Sequence, residues 1–246
     1  MKLLSVSHDA KTIKGEKKGY LTGILYLAPA DSSGVTNTCA SASAGCKAAC
    51  LFTAGRAAAF PMINRARIRK TKFLIQDRSA FVLQLCSEIE ALVRKAKRDG
   101  LKPCVRLNGT SDLPYLAHTI APMFPHVQLY DYTKHPRPWE RTLPNYHLTF
   151  SLSETNIDDA MDALMHGVNV AVVFGVKRGH QLPKTWQGYK VYDGDLHDLR
   201  FKTDPHSRII GLRAKGRARK DCSGFVQPTT HLVQQPQLIQ IMEVAA

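Results

Sequence analysis

Cys39, Cys46 and Cys50 fall within twelve residues, spaced C-x6-C-x3-C. Cys46 and Cys50 are four apart and share one face of a helical turn. Cys39 lies on a loop of small residues that can fold back over that turn, so three thiolates can converge on one centre. Structural zinc ordinarily takes four closed ligands, often from C-x2-C knuckles, and this spacing is not a knuckle. Three local thiolates suit an iron–sulfur cluster better, although soft sulfur ligands also suit zinc. The expectation is a [4Fe–4S] cluster on Cys39, Cys46 and Cys50. Zinc, a redox thiol and an inert cluster of small residues are the lesser readings. Cys86 and Cys104 sit on apolar faces and read as core, where a free thiol packs as a small hydrophobe. Cys222 lies in a polar Asp-Cys-Ser-Gly turn and is the expected fourth ligand. Without it, one iron stays open to a small ligand or substrate.

The elements that must position this chemistry alternate short apolar strands with helices or loops. Strands are expected at 22–29, 104–107, 127–132, 146–152, 168–174, 189–192 and 208–212. Helices are expected at 60–76, at 77–98 with Asp77 as N-cap and Gly100 as stop, and at 156–166 with Gly167 as stop. Strands alternating with crossovers imply a parallel α/β sheet. The expected fold is a partial (β/α) barrel of about seven mostly parallel strands. It forms a single domain over 1–246, with a C-terminal tail from about 229. No G-x-G-x-x-G follows the first strand, so a dinucleotide-binding fold has no support.

In such folds function collects beyond the C-terminal ends of the strands. Those exits are polar here. Arg106, Asn108 and Asp112 follow the second strand and Lys134 follows the third, where they would position a substrate. Arg213, Lys215, Arg217 and Arg219 alternate with Ala and Gly after the seventh. If extended, they point to one side and can grip a phosphate, with Arg213 and Lys215 nearest the strand. Glu154, after the fourth strand, reads equally as a ligand group or half of a buried pair. Asp193, Asp195, His197 and Asp198 could hold a divalent cation, but aspartates beside Gly194 are equally explained by turn chemistry.

The net charge of +14 favours polyanions as partners, and Arg65, Arg69 and Lys72 would share a helix face that could track phosphates. The longest apolar run, Val170–Val176, is far short of the ~20 residues that span a bilayer. The first residues turn polar by position 5, so no export signal and a cytoplasmic location are expected. Thiols there remain reduced.

The cysteine segment, the Val105–Asp112 segment, the Tyr132-Thr133-Lys134 triplet and the late Cys222 together resemble the phage "gene product eighty-eight" family, over roughly residues 20–226. The resemblance implies an iron–sulfur protein on a barrel-like fold, located in the host cytoplasm, and it supplies no reaction. Radical S-adenosylmethionine enzymes are similar at greater distance. They too place three cysteines after the first barrel strand and a glycine-rich acidic motif after the second, where this chain has Asn108–Asp112. Their C-x3-C-x2-C spacing and double glycine are absent. That similarity therefore implies related architecture, with S-adenosylmethionine as the lesser expectation. The leading functional expectation is a basic cavity beside the cluster that acts on a nucleotide or nucleic acid. The alternative is a nucleic-acid-binding or host-protein-binding chain whose cluster is structural.

Overall fold

The computed structural model describes residues 1–7, 10–203 and 206–229. The expected tail therefore lies, from residue 230 on, outside the described residues. Nine strands form one sheet: β1 (Leu4–Val6), β2 (Tyr20–Leu25), β3 (Lys102–Arg106), β4 (Gln128–Thr133), β5 (Tyr146–Ser151), β6 (Val170–Phe174), β7 (Thr185–Trp186), β8 (Tyr189–Asp193) and β9 (Ile209–Arg213). Their order is β1-β2-β3-β4-β5-β6-β9-β8-β7. Neighbours from β2 through to β8 pair in parallel, and the edge strands β1 and β7 pair antiparallel. All seven expected strands are present. β1 and β7 are added, and at three and two residues they are too short to show a period.

The helices are α1 (Ala10–Glu16), α2 (Ala44–Ala48), α3 (Gly55–Ala59), α4 (Pro61–Gln76), α5 (Arg78–Arg98), α6 (Pro114–Ile120), α7 (Ile157–Met165) and α8 (Arg200–Thr203). Asp77 caps α5, its Oδ1 accepting from Ala80 N at 2.9 Å. Phe81, Leu85, Ile89, Leu92 and Ala96 recur at helical spacing and are buried in one core with Leu21 and Leu25 of β2 and Val105 of β3. Each large apolar side chain buried this way contributes roughly 1.5–3 kcal/mol. Gly100 (φ 67°) takes the left-handed turn that ends the helix, and Leu101 N closes back on Ala96 O at 2.8 Å. Before α7, Asn156 ties the approach: its Oδ1 accepts from Ser153 N and its Nδ2 donates to Ser151 O. A second core under α7 gathers Phe150, Val170, Val172, Phe174 and Ile209.

The barrel expectation is corrected. Among the described residues the sheet is open, with β1 and β7 as its two edges and no pairing between them. On a flat sheet the five steps from β3 to β8 would span roughly 24 Å. Yet Arg106 at the end of β3 bonds Asp198, just after β8, at 2.6 Å. The sheet curls, and the segment after β8 crosses its concave side. Phe201 of α8 packs edge-on to Tyr20 at 5.1 Å and tilted on Tyr130 at 5.4 Å. Lys202 Nζ donates to Lys18 O at 2.7 Å, and Lys14 Nζ donates to Asp195 O. Contacts of Asp195, Asp198, Phe201 and Lys202 therefore close the concave side where a further strand would stand in a barrel.

Candidate functional site: a thiol-lined cavity at the strand ends

Alternation along the strands separates two faces. Val105, Leu129, Phe150 and Val172 point into the helix-side cores. Their neighbours Arg106, Tyr132, Ser151, Ala171 and Val173 line a cavity of about 330 Å³ on the concave side. The small inward residues leave this volume open. The loop after β3 reaches it by lying hard on β2: a Cβ on Gly109 would meet the Tyr26 ring at 2.6 Å and Ile24 at 2.8 Å.

Cys39, Cys46 and Cys50 all line this cavity. The chain after β2 is fixed by local bonds. Thr38 Oγ1 donates to Ala28 O at 2.6 Å, and Asp112 N donates to Thr38 O at 2.8 Å. Cys39 Sγ accepts from Ala30 N at 3.4 Å, and the Phe52 N–H donates to Cys50. Ser43 caps α2 by accepting from Cys46 N at 3.2 Å. Glu154 holds that N-terminus from the far side of the sheet, accepting from Ser43 Oγ at 2.7 Å and Gly45 N at 2.6 Å. A Cβ on Gly45 would overlap Ser223 Oγ and come within 2.8 Å of the Glu154 carboxylate. Glu154 is thus the anchor of the cysteine helix.

Burial pushes the Cys39 and Cys50 thiols up; Cys39 also feels Asp112 and Cys46, and Cys50 feels both Cys46 and Cys39, as added negative charge. Such thiols stay protonated until a metal compensates the charge. Among the described residues, no three His, Cys, Asp or Glu side chains lie close enough to share a single metal ion. Cys222 is exposed and is not part of the cavity wall, although its neighbour Ser223 packs on Gly45. Cys86 and Cys104 are core residues. Cys86 Sγ lies 3.9 Å from Met123 Sδ, and burial pushes the Cys104 thiol up to about 12.

Arg106 spans from β3 to Asp198, and its guanidinium lies 4.6 Å from the Tyr132 ring centroid. Burial opposes its charge, but Asp198 and the nearby tyrosines hold its pKa above the ordinary arginine value. Arg213 Nη1 pairs with Asp193 at 2.9 Å and Asp195 at 3.1 Å, while its Nε and Nη2 donate to His180 O. Lys215 Nζ reaches Asp195 at 2.6 Å. These pairs occupy the acidic group that the sequence offered as a cation site.

Asn108, Asp112 and Lys134 meet at the same end of the sheet. The Asn108 side chain faces its own loop, with Oδ1 accepting from Ser111 Oγ and Leu113 N, both at 2.9 Å. Its Nδ2 donates to Asp131 Oδ2 at 3.1 Å. Asp112 accepts from Lys134 N at 2.8 Å, and burial pushes its carboxyl up. All six residues expected to touch substrate line the cavity. The sequence reading missed Phe225 and Lys14 on the wall and Asp131 behind it. A lone Phe after a Ser-Gly turn carries no periodic signal. Asp131, interrupting the apolar 127–132 run, did carry one.

The chain is thus an α/β protein with an open, curled, mostly parallel sheet and a thiol-lined cavity at its strand C-terminal ends. It belongs to the Gene product 88 family, whose model matches residues 2–228. No curated protein and no solved structure matches the chain. Among the described residues, no helix is long and apolar enough to cross a membrane.

Proposed function

We propose that this chain is a cytoplasmic iron–sulfur protein in which Cys39, Cys46 and Cys50 hold a [4Fe–4S] cluster against a basic cavity that receives a nucleotide-class substrate. The supporting observation is that three thiols line one cavity together with Arg106, Lys134, Arg213 and Lys215. A [4Fe–4S] cluster takes each thiolate on a separate iron, which the three cysteines at the cavity could supply. Backbone N–H groups directed at Cys39 and Cys50 suit thiolate ligands. Six free cysteines suit a reducing compartment. The exposed position of Cys222 favours three protein ligands and one open iron.

When bound, such a cluster supplies a Lewis-acidic or one-electron iron at the cavity wall. The chain's own residues do the rest. Asp198 and Tyr132 fix Arg106 so that its charge needs no reorganisation. Asp112 fixes the backbone of Lys134, and Leu152, Val173, Leu212 and Phe225 keep the wall dry. The test is anaerobic purification followed by iron, sulfide and zinc analysis of the wild type and four Cys→Ala variants. About four irons and four sulfides per chain are expected, lost in Cys39→Ala, Cys46→Ala and Cys50→Ala and retained in Cys222→Ala. Zinc, or no metal, would overturn the reading.

A second reading, nucleic-acid binding with a structural cluster, is favoured by the surface. Arg65, Arg69 and Lys72 are exposed on one face of α4, as are Arg217, Arg219 and Lys220 on the turn after β9. Their neighbours are otherwise engaged: Lys70 Nζ donates to the Leu3 carbonyl at 2.6 Å, and Arg67 sits 5.3 Å from the Tyr26 ring centroid. Replacing the three exposed α4 cations by Gln should lower the slope of log K against log salt by up to about 2 for single-stranded DNA or RNA. An unchanged slope removes α4 from this reading.

A further inference from the structure

The cavity walls hold five cations: Lys14, Arg106, Lys134, Arg213 and Lys215. Four are already engaged. Arg106 pairs with Asp198, Arg213 with Asp193 and Asp195, and Lys215 with Asp195, while Lys14 donates to the Asp195 carbonyl. Lys134 makes no ion pair among the described residues. Its backbone is fixed by Asp112, so the base of the side chain is placed while the ammonium stays beyond ion-pair distance of that carboxylate and feels it only through space. That ammonium lies 5.7 Å from the Phe225 ring centroid. Phe225 is itself held by the turn beneath it: its N–H donates to Ser223 Oγ at 3.3 Å, and Val226 N donates to Asp221 at 3.0 Å. Among the described residues Lys134 is thus the wall cation whose ammonium has neither a hydrogen bond nor an ion pair; it feels Asp112 and Cys50 only through space, and it stands beside one fixed aromatic face.

We propose that Lys134 is the anion-reading residue of this cavity, and that its ligand is a single small molecule carrying one carboxylate or phosphate monoester on a flat apolar body. This rests on the reading of the cavity as the substrate site, but not on the cluster. A volume of about 330 Å³ lies within the range of small-molecule sites, and the oligothymidylate arm of the test separates this from strand binding. An ammonium on an apolar, partly dry wall gains more from an anion than it would in water. The ring of Phe225, which lines the cavity together with Leu152, Val173 and Leu212, accepts a planar body and repels none by charge. Lys134 also acts on Cys50 electrostatically, so the competing role is counter-ion to that thiolate.

The experiment measures calorimetric binding of benzoate, phenyl phosphate, neutral benzamide and an oligothymidylate to anaerobically purified wild type, Lys134→Gln and Lys134→Arg. Iron and sulfide are determined on each sample. Expected is binding of benzoate or phenyl phosphate, with benzamide about tenfold weaker or more. Lys134→Gln should lose tenfold or more of anion affinity at unchanged iron content, and Lys134→Arg should restore most of it. Equal binding of benzamide, an unaffected Lys134→Gln, binding of the oligonucleotide alone, or no binding at all overturns the proposal. So does loss of iron together with anion binding in Lys134→Gln, which makes Lys134 the counter-ion. A protein without iron whose anion binding still follows Lys134 leaves this proposal standing and removes the iron–sulfur reading.

Discussion

Arg106→Met should lose about 3–5 kcal/mol of stability, the cost of leaving one member of a buried ion pair behind. Both side chains are about 90 % or more shielded from solvent, and their bond is 2.6 Å. The methionine fills much of the space but leaves the Asp198 carboxylate inside the fold without its guanidinium partner, while the 3.3 Å bond from Tyr132 OH remains. The cation–π contact on Tyr132 is also lost. Because Asp198 sits on the segment that closes the concave side, the loss should release that segment from β3. For a chain of this size the shift corresponds to a Tm lower by roughly 6–20 °C. Asp198→Asn in the same background should recover part of it, since a neutral amide is cheaper to bury than an unpaired charge. Urea unfolding of the wild type, the single and the double variant measures each difference. A loss below about 1 kcal/mol in Arg106→Met would mean that the pair is solvated and that the closing segment is held by Phe201 instead.

The seven long strands and the helices α4, α5 and α7 were legible because each carries a local signal: a 3.6-residue stripe ending in Asp77 or Gly100, or an apolar run such as Val170–Phe174. The two edge strands were not, since three residues or fewer show no period. Closure of the sheet was illegible for a different reason. Whether a curled sheet completes a barrel depends on its last strands and on what crosses the concave face. Here Phe201, Asp198 and Lys14 do so through contacts between residues up to 181 apart in the chain. The site divides the same way. Residue types at strand exits identified the six wall residues, because parallel topology sends every exit to one end. Partners were invisible: nothing in the spacing says that Arg213 pairs with Asp193 and Asp195 while Lys134 makes no ion pair among the described residues, or that Glu154 grips the cysteine helix.

Asp131 should make stability fall as pH rises from about 4 to about 7. Its carboxyl is fully buried on the helix side of β4, behind the cavity wall. It accepts from Asn108 N at 2.7 Å, Asn108 Nδ2 at 3.1 Å and Tyr146 OH at 3.2 Å. Burial dominates and pushes it up to about 7, while Arg106, Asn108 and Tyr146 pull the other way without cancelling it. The unfolded chain would titrate this residue near 3.9. Between those values the folded state holds a proton that the unfolded state has released, so the contribution is full below about pH 4 and gone above about pH 7. At about 1.4 kcal/mol per pH unit, the full window is worth about 4 kcal/mol. His147, pushed down to about 4 by burial, works with the opposite sign over much of that window, so the wild-type curve alone would understate the effect. Asp131→Asn removes one of the two. It keeps an acceptor for Asn108 N and places an amide donor against Asn108 Nδ2, a local cost of about 1–3 kcal/mol at acid pH. The wild-type minus variant difference, from urea unfolding at pH 5, 6, 7 and 8, should therefore shrink with rising pH and then level off. A difference independent of pH would mean that the three donors hold Asp131 ionised throughout. The loop they fix, Asn108–Asp112, would then owe its position to a buried charge rather than to a protonated acid.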